Sequence, residues 1–420
     1  MIVPRSQAFL RHMASRLNDL WSASPTPVPD QAKVLFLVAG LSVGGAERHT
    51  VTVRAALARR GFPTSLLAVG SRRSEVIAAL PGAEDAEQLN VKGMSSLSGW
   101  VSLWRALRRS DANIVVCVNQ APLISAAFLR LALGTRAKIV CVFHTTILRP
   151  SDQIRLPLFR VGLGLADALV YVSRNQASYW RARWLWCRKQ AIIQNGIDLD
   201  RFGADPAARV AMRQRLDVAD DEILVGLVAA FRPEKNHAQL LDVVREAHDR
   251  GARVKVLFVG DGETRPSTER LARDLNLDSL VIFAGEQSDV RPWMSACDCG
   301  VLCSDAVETF SLAAIEFLAS GVPMLMSDIG GASEIVEHGV NGFLFAVGDS
   351  QAFADCLMKA SDPAIRERLQ AQAVRSVQGL SEERMVDGYV SLLHAVSAGS
   401  RQRLRRLAPE TGPLPVRSAD

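Results

Sequence analysis

At 420 residues the chain is too long for one average core, and two domains of about 150 to 200 residues are expected. Its composition, 48% apolar and 22% charged, excludes a disordered or fibrous protein. The net charge of +5 conceals a polarity: residues 1–200 carry 25 Lys and Arg against 12 Asp and Glu, a net of +13, whereas residues 201–420 carry 24 against 32, a net of −8. A basic first half points to an anionic partner there, a phosphate-bearing acceptor or a phospholipid surface, unless the charge is merely solvated.

Residues 1–30 open with a candidate amphipathic helix (Phe9, Leu10, Met13, Leu17, Leu20 and Trp21) and end in the proline-punctuated linker SASPTPVPD. Arg5, Arg11 and Arg16 interrupt this extension, which lacks the apolar run of a secretory signal. The longest apolar stretch, Ile114 to Leu133, is broken by Asn119, Gln120, Pro122 and Arg130 and does not read as a membrane span. Seven cysteines, an odd number placed mostly in strand-like runs, suit reduced thiols and a cytoplasmic setting. Cys297, Cys299 and Cys303 are close enough to raise a metal site, but the alternation of CDCGVLC reads better as a buried strand, and no metal is expected.

From residue 31 to about 203, strand-like and helix-like segments alternate: VLFLVAG (Val34 to Gly40), a helix from about Ala46, then TSLLAV, NIVVCV, KIVCVFH, ALVYVS and AIIQNG (Ala191 to Gly196). A second series occupies 204–380: EILVGLVAA, RVKVLFVG, LVIFAG, CGVLCS, VPMLMS and GFLFA. Continuous apolar strands separated by helices imply an α/β protein of two Rossmann-like domains, each a parallel sheet covered on both faces. Tandem domains of this kind place their strand carboxyl ends around a shared cleft. A last helix is expected from about Ser381 to Val396, within a segment 381–400 that crosses back to the first domain, followed by an Arg- and Pro-rich tail over 401–420.

After the first strand, GLSVGGAERH sets Gly44 and Gly45 before a helix; paired glycines admit a ligand close to the backbone, and the helix start offers amides to phosphate. The segment matches neither GxGxxG nor a Walker loop. In the second half, FRPEKNH puts Arg232 and Lys235 beyond a strand end, where two cations can neutralise a diphosphate, or simply cap a helix in solvent. The turns holding Gly260 and Gly285 follow two successive strands and suit approach to a nucleobase, although turns need no ligand.

ETFSLAAIE, from Glu308 to Glu316, is the most informative stretch. Two carboxylates eight residues apart, the first before a short apolar helix and the second inside it, are separated by roughly 12 Å at helical rise, about the length of a sugar diphosphate. The helix start between them is an anion site. Glu308 is placed to hold a sugar and Glu316 a ribose, with diphosphate between; the plainer alternative is an amphipathic helix with a glutamate at its amino end.

Taken in order, GGAER (Gly44 to Arg48), FHTT (Phe143 to Thr146), IIQNGIDLDRF (Ile192 to Phe202), FRPEKNH (Phe231 to His237), LFVGDGE (Leu257 to Glu263), SDAVETFSLAAIEFLASGVP (Ser304 to Pro323) and GGASEIVEHGVNGFLF (Gly330 to Phe345) resemble the family 4 glycosyltransferases, retaining nucleotide-sugar enzymes of GT-B fold. The resemblance covers about residues 33–396. It implies that Glu308 grips the donor sugar, that Glu316 binds the ribose, and that Arg232 and Lys235 bear on the diphosphate with backbone amides of Phe310, Ser311 and Leu312. It also implies that Gly45 faces the phosphates and that His144 lies beside the reacting sugar; without it, His144 reads as a strand-end histidine. Three positions, in two segments, depart from the family pattern. Thr309, Phe310 and Ser311 stand where Gly-Phe-Gly is frequent, and Ala230 stands where the arginine commonly precedes the lysine by five residues.

The function so implied is retaining transfer of a sugar from a UDP- or GDP-sugar to a glycan or lipid-linked acceptor in cell-envelope polysaccharide or glycolipid synthesis, with no metal or other cofactor and no nucleic-acid partner. A sugar-nucleotide epimerase of the same fold and a catalytically silent scaffold are the alternatives. YWRARWLWCRK (Tyr179 to Lys189) interleaves Trp180, Trp184 and Trp186 with Arg181, Arg183, Arg188 and Lys189, the pattern of a helix lying on an anionic membrane at its inner face, or of tryptophans packed in a core.

Overall fold

The computed structural model describes residues 32–42, 44–91, 97–146, 148 and 150–398. The expected extension over 1–30 and the tail over 401–420 lie outside them.

Apolar β-branched runs form two wholly parallel sheets. The first orders its strands β3-β2-β1-β4-β5-β6-β7: β1 is Val34–Val38, β2 Thr64–Ala68, β3 Glu87–Gln88, β4 Ile114–Val118, β5 Lys138–Phe143, β6 Ala168–Tyr171 and β7 Gln190–Ile192. The second is ordered β10-β9-β8-β11-β12-β13, with β8 at Ile223–Val228, β9 Val254–Val259, β10 Val281–Gly285, β11 Cys299–Leu302, β12 Met324–Ser327 and β13 Gly342–Phe345. In each sheet the strand order reverses once, between β1 and β4 and between β8 and β11, and a crevice opens outside the strand carboxyl ends at such a point. The segments holding Gly44 and Gly45, Arg232 and Lys235, and Glu308 follow β1, β8 and β11, three of the four strands at these two points.

Seven of the helices position the site: α1 (Gly45–Arg59), α2 (Gln120–Leu133), α3 (Leu156–Leu165), α4 (Arg174–Arg181), α5 (His237–Asp249), α6 (Leu312–Ala319) and α7 (Glu382–Ser397). Helix α6 lies close against the second sheet because β8 and β11 carry Gly226 and Gly300 beneath it, and a Cβ at either would meet Phe317. The connection after β7 differs from the expected strand through Gly196. The chain leaves the sheet at Ile192, and the Ile197 N–H bonds to Leu380 O at 3.0 Å while the Glu382 N–H bonds to Ile197 O at 2.7 Å, so the crossing between domains runs beside the segment that returns. That returning helix, α7, is capped by the Ser381 hydroxyl and packs on α1. The main apolar cluster joins both halves, from Val34 and Phe36 through Ile193, Ile197 and Phe202 to Leu318 and Tyr389.

The segment expected as one helix from Tyr179 to Lys189 is not one. Helix α4 ends at Arg181, and its three tryptophans part company: Trp180 is buried against Phe143, whereas Trp184 and Trp186 stand in solvent. The helix stops at Arg181 and a left-handed residue at Trp184 turns the chain, so the three rings do not lie on one helix.

Candidate functional site

On the second sheet, Lys235 ends a short 3-10 turn (Pro233–Lys235) after β8, and Asn236, at φ +48°, turns the chain into α5. Its Nζ lies 2.6 Å from Glu308 Oε2, which also accepts the Ser304 hydroxyl at 3.1 Å. Glu308 is 7% exposed, and a Cβ on Gly330, whose φ is +61°, would strike the Glu308 carbonyl; the paired glycines of GGASEIVEHG thus seat the loop that carries this carboxylate. Ser311 caps α6, its hydroxyl accepting the Ala314 N–H at 3.3 Å, so the amides of the helix start have no helical partners of their own. The stretch between the two glutamates is therefore loop from Glu308 to Ser311 and helix only from Leu312, so helical rise over all eight residues does not describe it. Phe310 is buried, and its carbonyl accepts Asn195 Nδ2 at 2.8 Å.

Glu316, inside α6 and 1% exposed, is held by Arg48 of α1, whose Nη1 donates to it at 3.2 Å. Burial pushes its carboxyl pKa up, and the Arg48 guanidinium opposes that rise. A cavity of about 290 Å³ opens on this pair, with Arg59, Asp198, Arg201, Phe202 and Leu312 in its walls. Lys235 and Glu308 do not line it; they lie at the other end of the helix start.

From the first sheet, the loop after β1 presents Gly44 and Gly45. The Glu47 side chain folds back over Gly44 and accepts the Ser42 hydroxyl at 3.3 Å; burial raises its pKa, against its own backbone, Ser42 and Arg232. The amino end of α1 thus carries a carboxylate already, and Gly45, whose missing Cβ faces open space, is the position left to a ligand. Arg232 is half-buried and close enough to Glu47 to act on it electrostatically.

His144 follows β5. Its N–H donates to Asn119 Oδ1 at 2.9 Å and its carbonyl accepts the Thr309 hydroxyl at 3.0 Å, which ties the first domain to the Glu308 loop. Burial lowers its pKa to about 4, so the imidazole is neutral, and Nε2 has no partner among the described residues. Its ring meets His49 edge-on at 4.7 Å, and His49 Nε2 lies 2.8 Å from the Tyr389 hydroxyl of α7. Gly260 and Gly285 stand beside each other, the Gly260 N–H bonding to Gly285 O at 2.8 Å, but glycine at 260 is accounted for by the backbone, since a Cβ there would meet the Ala229 carbonyl.

The structure thus gathers Lys235, Glu308, Phe310, Ser311, Leu312 and Glu316 on one domain and brings His144 and the α1 start to face them. Arg48, Ser304, Asn195 and Glu334 were not singled out from the sequence. Arg48 lay inside GGAER but pairs with a residue 268 positions away, a distance no local pattern reports. Glu334 takes the N–H groups of Arg174 at 3.0 Å and Asn175 at 2.7 Å, so a carboxylate of the second domain sits on the positive end of α4 in the first.

The chemistry this arrangement supports is the holding of a linear anion: helix-start amides lie between two carboxylates, each paired with a cation, Lys235 on Glu308 and Arg48 on Glu316, and the backbone of the neutral His144 is tied to the loop between them. Two family models match, one described as Glycosyltransferase Family 4 over residues 43–201 and one as Glycosyl transferases group 1 over 209–375. The N-acetyl-alpha-D-glucosaminyl L-malate synthase of Bacillus anthracis is 26% identical, over 65% of this chain and 72% of its own. The lipopolysaccharide core biosynthesis glycosyltransferase LpsE of Rhizobium meliloti is 30% identical over 50% of this chain and 58% of its own. Among solved structures, Anabaena HepE in complex with UDP-glucose superposes with a TM-score of 0.77 at 22% identity, over 87% of this chain and 100% of that one.

Proposed function

Because the chain belongs to the family 4 glycosyltransferases and has the GT-B fold, we propose that it is a retaining enzyme that moves a sugar from a UDP- or GDP-sugar to a glycan or lipid-linked acceptor of the cell envelope. The observation that carries this reading is the Lys235–Glu308 pair at 2.6 Å beside the α6 start, with Glu316 buried at the far side. LpsE is named for lipopolysaccharide core synthesis, and HepE is described with UDP-glucose bound; both support the setting and the donor class.

In this reading Lys235, Arg232 and the amides before Leu312 neutralise the diphosphate as the bond from the sugar's anomeric carbon to phosphate breaks. The acceptor hydroxyl attacks from the same face, the new bond forms to the anomeric carbon, and the departing phosphate takes the hydroxyl proton. Glu308 accepts sugar hydroxyls, and the neutral His144 faces the same sugar. Charge neutralisation is the role assigned to the side chains, with no metal required.

The test is a thermal-shift panel of UDP- and GDP-sugars in excess chelator, repeated with Glu308→Ala and Lys235→Ala, followed by NMR assignment of the product anomer. Stabilisation by one donor that both substitutions weaken is expected. No shift with any nucleotide sugar rejects the donor site, and an inverted anomer rejects the retaining course.

A further inference from the structure

The outer face of the first domain carries side chains that neither the core nor the cleft uses. Ile154 is 81% exposed, Trp184 84% and Trp186 65%, with Leu158 and Val161 also in solvent. Helix α3 turns Phe159, Gly162 and Leu163 inward, and Leu158 and Val161, one turn apart, lie on its other side. Phe143 touches both Phe159 and Trp180, so α3 and α4 are neighbours on the sheet, and Arg160 of α3 donates to the Arg183 carbonyl at 2.9 Å. The apolar groups of α3 and of the loop after α4 therefore form one ridge.

The ridge is edged with cations. Residues 112–197 contain eleven Lys and Arg, two Asp and no Glu. Arg155, Arg160, Arg181, Arg183 and Arg188 are exposed there, and among the described residues no carboxylate lies within ion-pair distance of the last four; Arg155 has Asp152 at 3.9 Å.

The backbone supplies an independent sign. Helix α4 closes with the Trp184 N–H on Arg181 O at 3.1 Å and the Leu185 N–H on Trp180 O at 3.0 Å, and Trp184 occupies the left-handed position, φ +61°, where such caps favour glycine. Leu185 is buried and Trp184 is not. The chain accepts a strained residue in order to hold an indole in water, a placement with no return inside the protein.

We propose that this ridge docks the protein on an anionic bilayer surface, with Trp184, Trp186, Ile154 and Leu158 entering the interface and the arginines meeting lipid phosphates. Indole rings partition to the headgroup level, and arginines whose partners are neutral groups (Arg181 on Gln190, Arg183 on the Tyr179 carbonyl) keep their charge for bidentate binding to phosphate. A second copy is a poor occupant, since a two-fold contact would set the same arginines against themselves. The inference concerns where the protein sits and stands whatever sugar it transfers.

The full chain is sedimented at low salt with vesicles of phosphatidylglycerol in phosphatidylcholine and with phosphatidylcholine alone, as parent, as Trp184→Gly with Trp186→Ser, and as Arg155→Gln with Arg188→Gln. Glycine suits the left-handed site, so the first variant keeps its fold, checked by circular dichroism. Parent binding is expected to require phosphatidylglycerol and to fall with salt, with the tryptophan variant weakened at least tenfold and the arginine variant about 30-fold. No binding, binding indifferent to lipid charge, or variants that bind as the parent does would overturn the proposal. So would concentration-dependent dimerisation lost in the tryptophan variant, which assigns the ridge to a second copy.

Discussion

Arg48, in the first helix of the amino-terminal domain, donates to the buried carboxylate of Glu316 at 3.2 Å, so the group assigned to a ribose is held in the free protein by a side chain from the opposite domain. A donor that takes Glu316 must exchange its hydroxyls for this guanidinium. Arg48 is partly exposed and Glu316 is not, so breaking the pair from the Arg48 side strands a buried charge. Arg48→Met is expected to cost about 1–3 kcal/mol in urea unfolding, and Glu316→Gln in the same chain to restore most of it. Additive losses in that double-mutant cycle would show that the two groups do not interact.

The Lys235–Glu308 pair predicts a different asymmetry. Lys235→Ala leaves Glu308 with the Ser304 hydroxyl as its remaining side-chain partner among the described residues and removes the cation paired with it. Turnover is expected to fall about 100- to 1000-fold, the range for loss of one preorganised stabiliser of developing charge. Initial rates over a range of donor concentrations measure it; a loss confined to KM would mean that the lysine stabilises the bound donor and the transition state equally.

His237 stacks on Phe231 at 4.0 Å with both ring nitrogens unpartnered among the described residues, and burial lowers its pKa from near 6.5 to about 4. The unfolded chain binds the proton first as pH falls, so stability is full above pH 6.5 and is lost progressively toward pH 4. His237→Phe keeps the stack and removes this loss, and its gain over the parent should be about 2 kcal/mol larger at pH 5 than at pH 8. Urea unfolding at the two pH values checks the sign.

Glu334 caps α4 from across the cleft and also accepts Gln194 Nε2 at 3.0 Å. Glu334→Ala is expected to loosen the two domains without unfolding either, seen as faster amide exchange at Arg174 and Asn175 against unchanged exchange in β4 and β5. Equal exchange in parent and variant would assign those amides to another partner.

Two parallel sheets, the strand series and the order of the motifs were legible because buried strands are continuous apolar runs and because Glu308 and Glu316, or Arg232 and Lys235, are close in sequence. β3, only Glu87–Gln88, left no signal, since two polar residues carry no period. The tryptophans at 180, 184 and 186 looked alike in composition and were separated by one left-handed residue, which a periodic pattern does not contain.

The sequence by itself determined which chemistry each segment can perform, because side-chain charge and the amides of a helix start are local properties. Tertiary structure alone decided which of these groups meet. Arg48 reaches Glu316, Thr309 reaches the His144 carbonyl, and Glu334 reaches α4 because two sheets turn their strand carboxyl ends toward one another, and that is a relation between residues more than a hundred positions apart.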